Sequence, residues 1–219
     1  PARIGRMAKE AGCHQIVHVS ALGAKLKSQS IYARTKAEGE RGLLRQFPDA
    51  VIMQPSIIFG PGDNFFNRFG QMAMFSPALP LIGGGTSLMQ PVYVGDVADA
   101  VLAALTMEEA KGKIYQLGGP QTYSFADLMR FTLTCVGRRR FLVPVPFSVA
   151  RLPAALCSFL PNPPLTLDQL KLLKVDNVCQ KSAPGLTELG IIPTAIESVV
   201  PDYLMQFRPG GRFAPGSSS

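Results

Sequence analysis

The sequence predicts an α/β fold: a parallel sheet followed by a small, mostly helical C-terminal lobe. Short apolar, β-rich runs alternate with helical stretches up to about residue 120. These runs read as strands buried between helices. Beyond that point the pattern turns helical and prolines recur within it.

Element by element, Ala2 to Ala11 reads as the end of a helix closing at Gly12. QIVHVS (15–20) is a buried strand, and SIYARTKAEGERGLLRQF (30–47) has helical periodicity. AVIMQ (50–54) is a second buried strand, stopped by Pro55. GPGD (60–63) is a turn, and LIGGGTSLMQPVYV (81–94) is a glycine turn leading into a strand. Asp96 stands at an N-cap position before the apolar helix VADAVLAALTM (97–107). IYQLGG (114–119) is a strand and turn, and Ser124 caps a helix of about twelve residues ending near Gly137. FLVPVPFSVARLPAALCSFLP (141–161) is apolar with repeated prolines, and TLDQLKLLKV (166–175) is a short helix. Thr194 and Glu197 form a capping-box pair opening a last helix, AIESVVPDYLM. The tail RPGGRFAPGSSS is predicted disordered. The resulting boundaries are 1–120 for the sheet, with a lobe insert near 63–90, then 121–207 for the lobe and 208–219 for the tail.

Bulk composition narrows the function classes. The 219 residues are 47% apolar and 17% charged, which suits a globular chain with a real core. No apolar run reaches the roughly 18–20 residues that span a bilayer. The start, PARIGRMAKEAG, is helical and charged rather than a signal peptide, pointing to a cytoplasmic or equivalent reducing compartment. The net charge of +7 is scattered apart from RRR at 138–140, without aromatic interleaving, which argues against nucleic acid. Cys13, Cys135, Cys157 and Cys179 form no CxxC and read as buried thiols. His14 and His18 give H-Q-x-x-H, lacking the glutamate and the helix of a zinc site, so they read as strand residues and no metal is expected. Asp63 is a turn residue, and Phe65, Phe66 and Phe69 pack the lobe. RRR beside the stretch to residue 160 has two readings: a peripheral membrane-surface contact, or a core helix with a proline-rich entry.

One trio carries chemistry. Ser20 ends a buried strand, at the sheet edge where open parallel α/β sheets bind ligands. Tyr32 follows twelve positions later and Lys36 four after that, both on one face of a helix. A lysine cation one turn from a phenol favours the phenolate and lowers its pKa, which suits proton transfer to a substrate oxygen. A serine hydroxyl opposite can hydrogen-bond the same oxygen. The lysine can also hold the ribose hydroxyls of a nucleotide. Taken alone, Y-x-x-x-K on a helix is a weak signal; the strand-end serine strengthens it.

With this trio, HVSALGA (18–24), QPSIIFGPGD (54–63) and QPVYVGDVADAV (90–101) resemble the extended and atypical short-chain dehydrogenase/reductases, the NAD(P)-dependent epimerase/dehydratase family. That resemblance implies the second half of a Rossmann-like parallel sheet. It also implies that Ser20, Tyr32 and Lys36 are the family's site residues, and that Pro55, Ser56, Ile57 and Ile58 wall a nicotinamide. HVSALGAKLKSQSIYARTKAEGE, FPDAVIMQPSIIFGPGDNFFNRF, MQPVYVGDV and GLTELGI resemble one branch closely. This branch is the accessory subunits of respiratory complex I (NADH:ubiquinone oxidoreductase) of the alpha-subcomplex subunit-nine type, with their bacterial relatives. The branch implies a tightly held NADP(H) or NAD(H) with a structural role and complex I subunits as partners. Its location would be the bacterial cytoplasm against the inner membrane, or the mitochondrial matrix. An active epimerase, dehydratase or reductase stays open beside it, as does a nucleotide-free interaction module.

The glycine fingerprint G-x-x-G-x-x-G, which lets the backbone approach a pyrophosphate at a helix N-terminus, is not in this sequence. Gly83 to Gly85 lead into a strand, and Gly118 and Gly119 precede Pro120. The sequence therefore reads as a C-terminal fragment lacking roughly four strands of the two-half plan, with an open sheet edge and an uncovered apolar face.

Overall fold

The computed structural model describes residues 1–156 and 166–211. Its central element is a three-stranded parallel sheet in the order β1 (Val17–Val19), β2 (Val51–Pro55), β7 (Ile114–Leu117). His18 lies opposite Ile52, and Gln54 opposite Gln116. Parallel neighbours need long crossovers, and here helices supply them. Helix α2 (Ile31–Gln46) joins β1 to β2, with Ser30 as its N-cap accepting the Ala33 N–H at 3.2 Å. Helix α4 (Val94–Thr106) precedes β7.

The middle strand is buried along its whole length, and its alternation divides the core. Val51 and Met53 pack with Val97, Ala100 and Ala104 of α4. Ile52 packs with Leu43 of α2 and Phe47. Each large side chain buried this fully contributes about 1.5–3 kcal/mol. Helix α1 (Ala2–Glu10) lies close against α2 because the contact is built of small residues: a Cβ on Gly42 would stand 3.1 Å from Ala2 Cβ.

A second core holds the lobe together. It joins β3 (Ile58–Phe59), α3 (Phe66–Phe75), β4 (Ala78–Ile82), α5 (Phe125–Cys135) and α8 (Val200–Leu204). Phe66 sits at its centre, fully buried, with edge-on contacts to Phe59, Phe65 and Phe131, while Phe65 and Phe69 meet Phe125. The expected packing role of these phenylalanines holds. So does Ser124: with Asp127 it forms a capping box on α5, whose range closely matches the expectation.

Several expectations need correction. The region after residue 120 is not helical throughout: β9 (Phe141–Val145) runs parallel to β4, and β8 (Tyr123–Ser124) antiparallel to β5 (Leu88–Met89). Pro80 and Pro144 are tolerated because these are two-stranded pairs whose outer edges need no donor. Beyond β9 come α6 (Phe147–Leu156) and α7 (Leu167–Leu172), the latter capped by Thr166 with Gln169. β6 (Val92–Tyr93) pairs with β3 and leads into α4 three residues earlier than the sequence suggests. Asp96 therefore lies inside the first turn, not at the N-cap. Freed from capping, its buried carboxylate accepts the Thr194 N–H at 2.7 Å and the Thr194 hydroxyl at 2.8 Å. That contact consumes Thr194, and Glu197 accepts the Tyr123 hydroxyl instead, so the capping box there does not form. A 3₁₀ turn over Ile196–Ser198 and the short α8 replace the long last helix.

Cys13 is exposed rather than buried, because it follows the Gly12 turn that closes α1. His14 lies in the bend before β1. Cys135 is buried and Cys179 half-buried, and burial pushes both thiols up to about 11. Cys157 and the tail from 212 lie outside the described residues. Among the described residues, β1 has one strand neighbour, and Ile4, Met7, Val19, Leu102 and Leu105 are exposed.

Candidate functional site

The C-terminal ends of β1, β2 and β7 form one edge. Ser20 is fixed there by its own N–H, which donates to Met53 O at 2.7 Å; two residues on, Leu22 N–H donates to Pro55 O at 2.8 Å. Ser20 is 4% exposed, and its Oγ has no hydrogen-bond partner among the described residues. Buried hydroxyls are normally paired, so this atom is unusual.

Tyr32 and Lys36 share the first turns of α2. The Lys36 Nζ stands over the Tyr32 ring, 5.7 Å from its centroid, a cation–π arrangement. Tyr32 is 47% exposed. Its phenol is pushed above its usual pKa by partial burial. This departs from the expectation that Lys36 lowers it: the cation meets the ring face, and desolvation of the phenolate dominates. Beneath the helix, His18 is held below the usual histidine range, first by burial and then by Lys36, with Glu40 opposing.

A polar row, buried at its Glu40–Gln54 end, crosses the same end of the sheet. Gln54 Nε2 donates to Glu40 Oε1 at 2.9 Å, Gln116 Nε2 donates to Gln54 Oε1 at 3.5 Å, and Gln180 N–H donates to Gln116 Oε1 at 2.8 Å. Glu40 and Gln54 are both buried.

The predicted wall divides. Pro55 and Ser56 remain at the sheet end beside the loop from Ser20: Ser56 N–H donates to Leu117 O at 2.9 Å. Ile57 turns toward the lobe core, and Ile58 is at the surface, paired with Val92 in β3–β6. No hydrogen bond joins Ser20 to Tyr32 among the described residues.

Two residues that sequence reading did not single out touch this set. Asn177 accepts the Ser56 hydroxyl on its Oδ1 at 2.5 Å, and its backbone bridges Leu88 and Gln90. Asp168 reaches the start of α2. Asn177 gave no signal, lying in an aperiodic stretch; Asp168 was visible only as part of a short helix.

Comparison with known proteins places these residues in context. The sequence profile of the NAD dependent epimerase/dehydratase family matches residues 8–118. The chain is 34% identical to the Arabidopsis thaliana mitochondrial NADH dehydrogenase [ubiquinone] 1 alpha subcomplex subunit 9, over 95% of this chain and 55% of that protein. It is 35% identical to the Mus musculus protein of the same name, over 90% of this chain and 52% of that one. The chain thus spans about half the length of the curated relatives it matches. In fold it is similar to the dTDP-glucose 4,6-dehydratase DesIV of Streptomyces venezuelae, solved with NAD and TYD bound. The TM-score is 0.56 at 22% identity, over 66% of this chain and 51% of that one.

Proposed function

The chain belongs to the NAD dependent epimerase/dehydratase family, and from that premise we propose that it works as part of an accessory or assembly subunit of respiratory complex I that holds NADP(H) or NAD(H) structurally. The observation that carries this reading is the identity of 34–35% to two complex I subunits across at least 90% of the chain.

The residues fit a nicotinamide nucleotide. The buried Ser20 Oγ offers an unused hydrogen-bonding group, and Tyr32 and Lys36 offer donors suited to ribose hydroxyls. Pro55 and Ser56 would bound the nicotinamide side. Such a nucleotide, when bound, supplies hydride-transfer capacity. Residues 1–120 serve as the C-terminal half of its domain, with an insert near 63–90, and 121–207 as an interaction lobe.

The location is peripheral to the bacterial inner membrane or in the mitochondrial matrix. Among the described residues no helix is long and apolar enough to cross a membrane. A surface contact through residues 138–160 is supported by a shallow cleft of about 560 Å³ whose lining includes Arg130, Arg138, Arg139 and Arg140. Near it in sequence Phe141 is 78% exposed, and Phe75 on the partner-strand side is 80% exposed. Residues 157–160 lie outside the described residues.

The test is a C-terminal tag at the native locus, mild-detergent purification, and mass spectrometry of companions and released nucleotide. Co-purifying complex I subunits with stoichiometric nucleotide are expected. A protein free of complex I subunits overturns the accessory reading and favours an active epimerase, dehydratase or reductase, which the retained Ser20, Tyr32 and Lys36 support. Tyr32→Phe separates the two: it abolishes turnover in an enzyme, whereas in a structural subunit it leaves assembly intact and only weakens nucleotide retention by removing one ribose donor.

A further inference from the structure

Helix α2 begins with donors that its own sequence cannot satisfy. The first N–H groups of any helix lack intrahelical acceptors, and α2 has no acidic residue in its first turn. Ser30 Oγ accepts one of them, from Ala33. The others are met from far along the chain. Asp168 Oδ1 accepts Ile31 N–H at 2.8 Å, Asp168 Oδ2 accepts Tyr32 N–H at 3.0 Å, and the Ser30 hydroxyl donates to Oδ2 at 2.7 Å. One carboxylate thus grips three consecutive residues, the last of them Tyr32.

The grip comes from a fixed support. Asp168 stands in the first turn of α7, held by the Thr166–Gln169 capping box. Leu170 of the same helix is 3% exposed and packs with Ile82 and Ala150. Lys171 Nζ lies 3.9 Å from Asp168 Oδ1 and balances its charge. The Tyr32 side chain is half exposed, so its placement depends on its backbone more than on packing around the ring.

We infer that Asp168 is a positioning residue for Tyr32 and Lys36, through which the C-terminal lobe sets the geometry of the nucleotide grip. The inference rests on the reading that Tyr32 and Lys36 hold the nucleotide. It makes nucleotide affinity a function of lobe docking: whatever displaces α7 loosens the first turn of α2 and with it the Tyr32–Lys36 pair.

The experiment measures nucleotide affinity by calorimetry with NADPH and NADH, using the protein purified from its native locus and stripped of nucleotide. The proteins compared are wild type, Asp168→Ala, Asp168→Asn, Lys36→Ala and Lys36→Ala/Asp168→Ala. Loss of charge-assisted bonds predicts about tenfold weaker binding for Asp168→Ala, with partial rescue in Asp168→Asn, which keeps one acceptor. In the Lys36→Ala background the Asp168→Ala effect should shrink to about threefold, because one of the two groups it positions is gone while Tyr32 remains. An equal loss in both backgrounds marks a merely structural role and overturns the inference. So does unchanged affinity in both Asp168 variants while Lys36→Ala binds weakly. If Lys36→Ala itself binds normally, the underlying grip reading fails instead. Should Asp168→Ala not fold, Asp168→Asn is carried through the same double comparison, alone and with Lys36→Ala.

Discussion

Replacing Asp96 by alanine tests how the lobe is fastened to the sheet layer. The carboxylate is 5% exposed and accepts two bonds from Thr194, at 2.7 and 2.8 Å. Hydrogen bonds to a charged acceptor contribute about 1.5–3 kcal/mol each, and the two share one acceptor group, so a combined loss of about 3 kcal/mol is expected. For a chain of this size that lowers the Tm by about 6–12 °C. Thr194→Val removes only the hydroxyl bond and should cost about 1.5 kcal/mol. Thermal and urea unfolding of both single variants and the double variant form a cycle. The double variant should cost little more than Asp96→Ala, giving a coupling of about 1–2 kcal/mol. Additive costs within about 0.5 kcal/mol would refute the contact. So would a loss of about 1 kcal/mol or less for Asp96→Ala, the usual magnitude for losing a helix cap.

Phe66→Ala should cost about 3–5 kcal/mol, read as a lower urea midpoint, because the ring is fully buried among three others. The folded state holds His18 below its usual pKa, so the unfolded chain binds the extra proton first. Stability from neutral His18 is therefore complete above about pH 6.5 and is lost as pH falls below it, and His18→Gln should flatten that slope in Tm measured from pH 5 to 7.5. Iodoacetamide at neutral pH should alkylate exposed Cys13 well before Cys135 and Cys179, whose thiols burial holds near 11; mass spectrometry of timed samples reads the order.

The parallel sheet was legible because β1, β2 and β7 are short apolar runs separated by helical stretches, and local patterning is what such runs report. The cap at Ser124 was legible for the same reason: its partner, Asp127, lies three residues away. Strand β9 was hidden by its proline, which argues against a strand unless the outer edge is free. Ser20, Tyr32 and Lys36 could be placed by spacing, but the position of Lys36 over the ring depends on side-chain torsions that spacing does not contain. Asp96, Asp168 and Asn177 were invisible in their roles. Their partners lie 98, 137 and 121 residues away, and no local rule couples such positions.

The polar row from Glu40 through Gln54 and Gln116 to Gln180, buried at its Glu40–Gln54 end, also acts during strand alignment. Val51, Ile52 and Met53 are apolar on both faces, so oil-and-water sorting alone hardly distinguishes one face of β2 from the other. Sliding the strand by one residue would turn Gln54 toward the layer of Val97 and Ala100 and leave Glu40 without its amide partner. Each buried polar group stranded in this way costs about 1–3 kcal/mol. The row therefore works as a ruler, and a misaligned chain pays at several marks at once.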